Sequence, residues 1–327
     1  MSISHIAFII CILLAVSGCQ AQPDQDLCIM FYNVENLFHP DDAPGDGDDD
    51  FTPEGTRRWN DYRYYRKIAG ISKVILGVNG WNPPAVVCLS EIENKQVLND
   101  LIYHPLLSGY SYQLLHRDSP DHRGMDVGML YRSDLLVCID TSWITVFDEQ
   151  GRTMDTREMI SAGFTDGKDT MVVVGCHWSS KYGGALETEK FRIQQAHALG
   201  RFTDSLLTAA PGRILITGGD LNDFSGSAPV EVLEGSYPLK EVVPGGTFLS
   251  YKYQGNWGSI DHVFIGDHLD GEAFSAEIVT FSQLLEPDEK YSGQKPLRTY
   301  TGFRYNGGIS DHLPLVLRLD AGKLRGN

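Results

Sequence analysis

The sequence predicts a layered α/β fold, and three observations support this. Short apolar runs with the composition of strands recur along the chain, among them AVVCLS, TMVVVGC and RILITG. Several of these runs are apolar at consecutive positions, which is typical of strands covered on both faces. Segments with the apolar spacing of helices alternate with the runs, and such alternation indicates layers of helices and sheets.

Two helices and three further strands complete the prediction. The segment DYRYYRKIAGISKVILGV has helical spacing at Ile68, Ile71, Ile75 and Val78. The second helix follows GGALETEK and is expected to bury one face made of Phe191, Ala198, Leu199, Phe202 and Leu206. The runs VGMLYR, IDHVFI and LPLVLRL are the other predicted strands. No linker rich in Pro or Ser interrupts residues 28–320, so we expect one catalytic domain there and a short tail at 321–327.

The chain has 327 residues and a formal net charge of −16. This balance argues against passive binding to a polyphosphate, which relies on Lys and Arg. If the substrate is a phosphate ester, a bound metal ion must supply much of the positive charge at the site.

The amino-terminal segment has the pattern of an export signal. Ile6–Val16 is an apolar run of eleven residues, too short to span a bilayer comfortably and typical of a signal-peptide core. The following VSGC resembles the lipobox of bacterial lipoproteins, although the preceding MSISH has no Lys or Arg. We therefore expect a signal peptide at 1–18, lipidation of Cys19, a tether at 19–27, and an exported lipoprotein attached to a membrane of the cell envelope.

Four other cysteines are predicted to be structural. Cys28, Cys88, Cys138 and Cys176 lie inside or at the end of apolar runs, where a free cysteine behaves as a small apolar residue. Their spacing does not suggest a zinc site.

Ionisable and amide side chains lie at the ends of the predicted strands. They are Asn33, Glu35, Glu91, His177, Asp220, Asn222, Asp261, Asp311 and His312. Sites in α/β proteins collect at strand ends, so we expect these residues to converge. Carboxylates and amides are ligands for Mg²⁺, Mn²⁺ or Ca²⁺ rather than zinc, and a histidine beside them can donate to a phosphate oxygen. The set suits metal-assisted hydrolysis of a phosphate ester.

Five motifs carry a family resemblance. NVENL, SEIEN, GDLND, SIDH and SDHLP, in this order, resemble the endonuclease/exonuclease/phosphatase superfamily, and the match runs from Cys28 to Asp320. DDFTPEGTRRW, HWSSKYGG and KPLRTYTGFRYNGGISDHLP are similar to an exported bacterial branch. The resemblance implies a DNase I-like four-layer α/β sandwich, in which two packed mixed sheets are flanked by helices.

The resemblance also implies roles for individual residues. The metal ligands would be Glu91, Asn33 and Asp311, with Mg²⁺ as the ion and Mn²⁺ or Ca²⁺ as alternatives. Asp311 could instead position His312. Asp220 would orient or deprotonate the attacking water. Asp261 would orient the catalytic His312. His177, Asn222 and Arg157 would contact the phosphate. His177 and Asn222 would also be catalytic residues.

Two features differ from this pattern or lie outside it. His262 stands where related enzymes carry Arg, and in a strand it would face away from Asp261, so we expect no direct catalytic role for it. TFLSYKYQG and TYTGFRYNG align with each other and present aromatic residues such as Tyr251 and Phe303. These aromatics either stack on bases or are half-buried hairpin residues, and the second interpretation is favoured.

The substrate is less defined than the chemistry. We expect a monomeric phosphodiesterase that acts on DNA or RNA. A phospholipid, inositol phosphate or sugar phosphate hydrolase is the alternative, and an inactive surface-binding lipoprotein is disfavoured because no motif residue has been lost.

Overall fold

The computed structural model describes residues 26–41 and 49–324. Its helices are α1 (Asp61–Gly77), α2 (Lys95–Ile102), α3 (Ala185–Ala209), α4 (Ala228–Ser236) and α5 (Ala321–Leu324). Its first nine strands are β1 (Leu27–Leu37), β2 (Val86–Ile92), β3 (Tyr112–Leu115), β4 (Asp126–Arg132), β5 (Val137–Ile144), β6 (Met159–Thr165), β7 (Thr170–His177), β8 (Ile214–Asp220) and β9 (Leu239–Glu241). The others are β10 (Tyr251–Tyr253), β11 (Asn256–Gly258), β12 (Asp261–Gly266), β13 (Phe274–Ile278), β14 (Leu285–Pro287), β15 (Gln294–Pro296), β16 (Tyr300–Thr301), β17 (Arg304–Tyr305) and β18 (Leu315–Leu319).

Two six-stranded mixed sheets form the centre of the molecule. The first has the order β13-β18-β1-β2-β4-β3 and the second the order β5-β6-β7-β8-β12-β9. In each sheet the central pair is parallel, β1 with β2 and β7 with β8, and the other pairs are antiparallel. Three short hairpins, β10-β11, β14-β15 and β16-β17, stand apart from these sheets.

The apolar side chains account for a four-layer arrangement. Along β7, Val173 joins the core cluster shared by the two sheets, α1 and α2, whereas Val172 and Val174 join the cluster with α3 and α4. Successive strand residues face opposite sides, so a strand covered on both faces is apolar throughout. The predicted DNase I-like sandwich of two packed mixed sheets flanked by helices is confirmed.

The predicted strands and the first helix are confirmed, and one detail of the second helix is wrong. In α1, Ile68, Ile71 and Ile75 are buried as expected. In α3, Phe191 is 36% exposed, and Arg192 and Gln195 are buried instead. Arg192 lies inside because its guanidinium binds Asp223, with Nε 2.9 Å from the carboxylate.

The cysteine prediction agrees with the structure. Cys28, Cys88, Cys138 and Cys176 are free, and all but Cys138 are buried. The predicted signal peptide and the lipidation residue Cys19 lie outside the described residues. Within residues 26–41 and 49–324, none of the helices combines the length and apolar character that crossing a membrane requires.

Candidate active site

Three site residues lie side by side at one edge of the second sheet. His177 is the last residue of β7 and Asp220 the last of β8, and the parallel register pairs them. Asp261 is the first residue of β12, which runs antiparallel to β8 and pairs with Asp220 from the other side. Asp220 is preceded by Gly219, whose φ of +134° and distance of 2.1 Å from an added Cβ to the Cys176 carbonyl oxygen allow no other residue.

The first sheet contributes Asn33 from β1 and Glu91 from β2. Glu91 has a left-handed backbone, with φ of 61°, at a point where the register between β2 and β4 shifts. Such an irregularity changes the direction of a side chain. A left-handed backbone at a residue other than glycine costs about 1 to 3 kcal/mol of strain. Asn33 Nδ2 donates to Glu91 Oε1 at 3.1 Å and to Asp220 Oδ2 at 2.9 Å, so this amide joins the carboxylates of the two sheets.

His312 lies in the segment before β18, and its ring points at the Asp220 carboxylate. Ser310 fixes this segment, because its hydroxyl donates to the Asn33 carbonyl at 2.6 Å and accepts the His312 N–H at 3.0 Å. His312 Nδ1 is 2.8 Å from Asp261 Oδ2, and Nε2 is 3.7 Å from Asp220 Oδ2. Burial alone would lower the pKa of His312, but the carboxylates of Asp261 and Asp220 outweigh it and raise that pKa well above its usual value. The ring is therefore a proton donor at neutral pH.

His177 has the opposite protonation state. Its Nε2 lies 3.7 Å from Asp220 Oδ2 and 3.9 Å from Glu91 Oε1. Complete burial and the adjacent Arg157 guanidinium, whose Nη2 is 2.9 Å from Nε2, hold the pKa of His177 well below its usual range. The imidazole is therefore neutral.

Arg157 lies behind His177 rather than in the open part of the site. Its guanidinium is buried, binds Asp121 at 2.8 Å and donates to the Trp178 carbonyl at 3.1 Å. These bonds occupy the fork that a phosphate would use. A direct phosphate contact by Arg157 stays a prediction.

The Asp220 carboxylate is buried and is held in place by hydrogen bonds. Burial raises the pKa of this carboxyl to about 7, against the opposing effect of His312. Asp220 Oδ1 accepts the backbone N–H of Asn222 at 2.8 Å. Asn222 itself has a left-handed backbone, with φ of 53°, and its amide donates to the Trp178 carbonyl at 3.0 Å. A pKa near neutrality suits a group that takes a proton from water.

Asp311 belongs to a neighbouring ionic group. Its carboxylate accepts from Arg298 Nη2 at 2.8 Å, and Arg298 Nε donates to Glu35 at 3.0 Å. Burial, followed by repulsion from Asp311, raises the pKa of Glu35 to about 7. The sequence singled out Glu35 only as a strand-end residue and Arg298 only within a quoted motif.

The donor set fits a divalent cation. Glu91 and Asp220 bring two carboxylates together, and among the described residues no Lys or Arg forms an ion pair with either. Hard oxygen donors with unbalanced negative charge favour Mg²⁺ or Mn²⁺. The Asn33 oxygen accepts from the Glu35 N–H at 2.9 Å, so Asn33 presents its nitrogen, not its oxygen, to the carboxylates. Its role as a direct ligand stays a prediction, as do those of Glu91 and Asp311.

A second group of potential ligands lies near β4. His116, Asp118 and Asp126 offer atoms within 4.8 Å of one another. His116 Nε2 is 3.0 Å from Asp126 Oδ2, whereas the Asp118 side chain is 90% exposed. The internal hydrogen bond between His116 and Asp126 accounts for this contact without an ion.

The structure also shows the positions of Tyr251 and His262, which the sequence analysis named. The aromatic hairpins exist as β10-β11 and β16-β17, and the Tyr251 ring lies 5.0 Å from that of His312, between centroids. His262 faces away from Asp261, as expected, and binds Glu241 at 2.6 Å and the Asp223 carbonyl at 2.8 Å. The sequence does not reveal Tyr251's position over His312, because the contact joins a hairpin to a distant turn.

Comparison with known proteins agrees with this geometry. The sequence profile of the endonuclease/exonuclease/phosphatase family matches residues 28–321. The chain belongs to this family. Its members are phosphoric ester hydrolases, so the family assignment supports phosphoesterase chemistry.

Solved structures share the fold. An endonuclease/exonuclease/phosphatase family protein from Bacteroides thetaiotaomicron superposes with a TM-score of 0.57 at 15% identity, over 90% of this chain and 98% of that one. The human Nocturnin catalytic domain with a bound sulfate anion gives 0.56 at 15% identity, over 90% and 93%. The mannosyl-6-phosphatase of B. thetaiotaomicron gives 0.56 at 16% identity, over 89% and 98%. A comparison with curated protein sequences finds no match.

Proposed function

We propose that this protein is a divalent-metal-dependent phosphodiesterase that hydrolyses nucleic acid. The observation that supports it is a pair of histidines, His177 neutral and His312 protonated, whose Nε2 atoms both lie 3.7 Å from Asp220 Oδ2. A neutral and a protonated ring beside one carboxylate can assist both the attacking and the leaving oxygen of an in-line displacement.

Each side chain has a distinct task in this proposal. Asp220, held by the Asn33 amide and the Asn222 N–H, takes the proton of the attacking water. His312 donates from Nε2 to the phosphate, while Asp261 holds its Nδ1. His177 lines the site without adding charge, because Arg157 keeps it neutral.

Glu91 is the principal residue that would hold Mg²⁺ or Mn²⁺, with Asn33 and Asp311 as further candidates. The ion would supply positive charge that polarises the phosphate. This requirement is consistent with a net charge of −16 and with the absence of any ion pair between Glu91 and a Lys or Arg of the described chain.

A sugar phosphate is the second candidate substrate, because one protein of similar fold is a mannosyl-6-phosphatase. The proposal also includes export, attachment of a monomer to the cell envelope through acyl chains on Cys19, and an amino-terminal signal peptide. Residue 19 and the signal lie outside the described part of the chain.

The test is a substrate panel of plasmid DNA, RNA, sphingomyelin, inositol phosphates and mannose 6-phosphate, each with Mg²⁺ and with EDTA. We expect rapid cleavage of DNA or RNA with Mg²⁺ and none with EDTA. The His312→Ala variant should lose this activity, and the exposed-surface variant His268→Ala should keep it, which excludes a contaminating nuclease. Hydrolysis of a lipid or sugar phosphate with both nucleic acids intact would contradict the proposal.

A further inference from the structure

A cavity of about 230 Å³ adjoins the candidate active site. Its lining residues include Glu35, Asn36, Phe51, Arg57, Arg298 and Tyr300. Two of them connect it directly with the site. The Asn36 N–H donates to Glu91 Oε2 at 2.8 Å, and Arg298 binds the carboxylate of Asp311, the residue before His312. The cavity therefore lies next to Glu91 and Asp311, two of the candidate metal ligands.

Arg57 presents a fixed guanidinium to the cavity. Its Cζ lies 4.8 Å from the centroid of the Phe51 ring and 5.1 Å from that of Tyr300, and Nη1 donates to the Gly302 carbonyl at 2.9 Å. Its Nε is buried and has no hydrogen-bond partner among the described residues. A buried donor without a partner is uncommon. Because Nε is inaccessible, a ligand in the cavity would meet the Nη1 and Nη2 end of the guanidinium.

The other charged groups of the cavity are already neutralised. Arg298 is shared between Glu35 and Asp311. The second oxygen of Glu35 accepts the Thr299 N–H at 2.7 Å, so both oxygens of this carboxylate are occupied. Arg57 is thus the positively charged group of this cavity that remains available to a ligand. The aromatic rings contact the face of its guanidinium and not the N–H groups at its edge.

We propose that this cavity is a subsite for a second phosphate group of the substrate, bound by Arg57 with Asn36 at its rim. In nucleic acid this group is the backbone phosphate next to the scissile one, and in a sugar substrate it is a second phosphoryl group. The proposal rests on the function proposed above, and it adds that substrates with two phosphates are preferred over those with one. A guanidinium fork is suited to phosphate because it can donate two parallel hydrogen bonds.

The test compares paired ligands that differ by one phosphate. One pair is a dinucleotide with a single phosphodiester and a trinucleotide with two. The other pair is a hexose monophosphate and a hexose bisphosphate. Dissociation constants are measured by isothermal titration calorimetry in EDTA, which prevents turnover, and kcat/KM is measured with Mg²⁺.

The wild-type protein should bind the two-phosphate member of one pair about tenfold more tightly than the one-phosphate member. The Arg57→Gln variant should lose this preference. Arg57→Lys, which keeps the charge but not the fork, should retain part of it. The matched control is Arg58→Gln, because Arg58 is the exposed neighbouring residue, has the same charge and does not line the cavity. Circular dichroism of each variant excludes misfolding.

The two pairs separate this inference from the proposed function. Preference for the trinucleotide supports both, whereas preference only for the hexose bisphosphate supports the subsite and contradicts the nuclease proposal. If the wild-type protein does not distinguish the members of either pair, the subsite does not exist, even when nucleic acid is cleaved. Equal losses in Arg57→Gln and Arg58→Gln would also overturn it, because they would indicate a general charge effect.

Discussion

His312 Nδ1 lies 2.8 Å from Asp261 Oδ2. This contact joins the segment before β18, a strand of the first sheet, to the first residue of β12 in the second sheet. Both side chains are buried. The contact fixes which ring nitrogen faces Asp220, and it sets the protonation state of the ring.

The first prediction concerns the pH dependence of catalysis. In the proposed mechanism protonated His312 is the active form, so kcat/KM should fall as the pH rises through its pKa. Asp261 raises that pKa, and Asp261→Asn should therefore move the alkaline limb to lower pH by roughly one unit or more. The measurement is a pH–rate profile of wild type and variant. Asp267→Asn, which removes an exposed carboxylate just after β12, is the control and should leave the limb in place.

The second prediction concerns the metal ion. Glu91→Gln should lower kcat by roughly a thousandfold, because polarisation of the phosphate by a metal contributes several kcal/mol. Its thermal unfolding should stay close to that of the wild type, since Glu91 is partly exposed. Isothermal titration with Mn²⁺ should show a site in the wild type that is lost in this variant and kept in Glu234→Gln, an exposed change on α4. Full activity in EDTA would refute the assignment.

The third prediction concerns a buried ion pair beside the site. Burial alone would lower the pKa of His262, but its hydrogen bond to Glu241 outweighs this and raises the pKa above the usual value. The pair should stabilise the fold fully below pH of about 6.5, and this contribution should be lost as the pH rises through the raised pKa. His262→Gln should cost about 3 kcal/mol at mildly acidic pH and less at alkaline pH.

Urea unfolding of wild type and variant at several pH values measures this difference. The exposed-surface change His268→Gln is the control and should have little effect at any pH. A cost of His262→Gln that grows with pH would show that the pair is not charged in the way described.

The fourth prediction concerns membrane attachment. If acyl chains on Cys19 hold the mature protein, Cys19→Ser should move it from the membrane fraction to the soluble fraction or leave an uncleaved precursor. Mass spectrometry of the wild-type amino terminus should show the acyl groups. Cys138→Ser, a change at a free cysteine of the enzyme domain, should leave attachment unaltered. A wild-type protein that is soluble and carries no acyl group would refute the lipoprotein proposal.

Much of the fold follows from local pattern. The strands with continuous apolar runs and α1 were predicted because burial on two faces or one face leaves a periodic signature. The short helix α2 was missed, although Asn94, which accepts the backbone N–H groups of Gln96 and Val97, is an N-cap signal in the sequence. The apolar spacing of α3 places Phe191 on the buried face, but this spacing cannot show that an ion pair with Asp223 will bury Arg192 instead.

The sequence also predicted which residues would meet, but not how they would be arranged. Asn33, Glu91, His177, Asp220 and His312 converge as expected. The left-handed backbone of Glu91, the protonation of the two histidines and the position of Arg157 behind His177 depend on long-range packing. Arg57 and its cavity were missed because segments distant in sequence form them, and neither segment has a periodic pattern.

The position of β18 between β1 and β13 has a consequence for the time at which the enzyme becomes active. Among the described strands β18 is synthesised last, and His312 lies three residues before it. A growing chain therefore contains Glu91 and Asp220 before it contains His312, and β13 has no partner in the first sheet until β18 is made. If His312 is the acid of the proposed mechanism, a chain that stops before β18 should not hydrolyse phosphate esters.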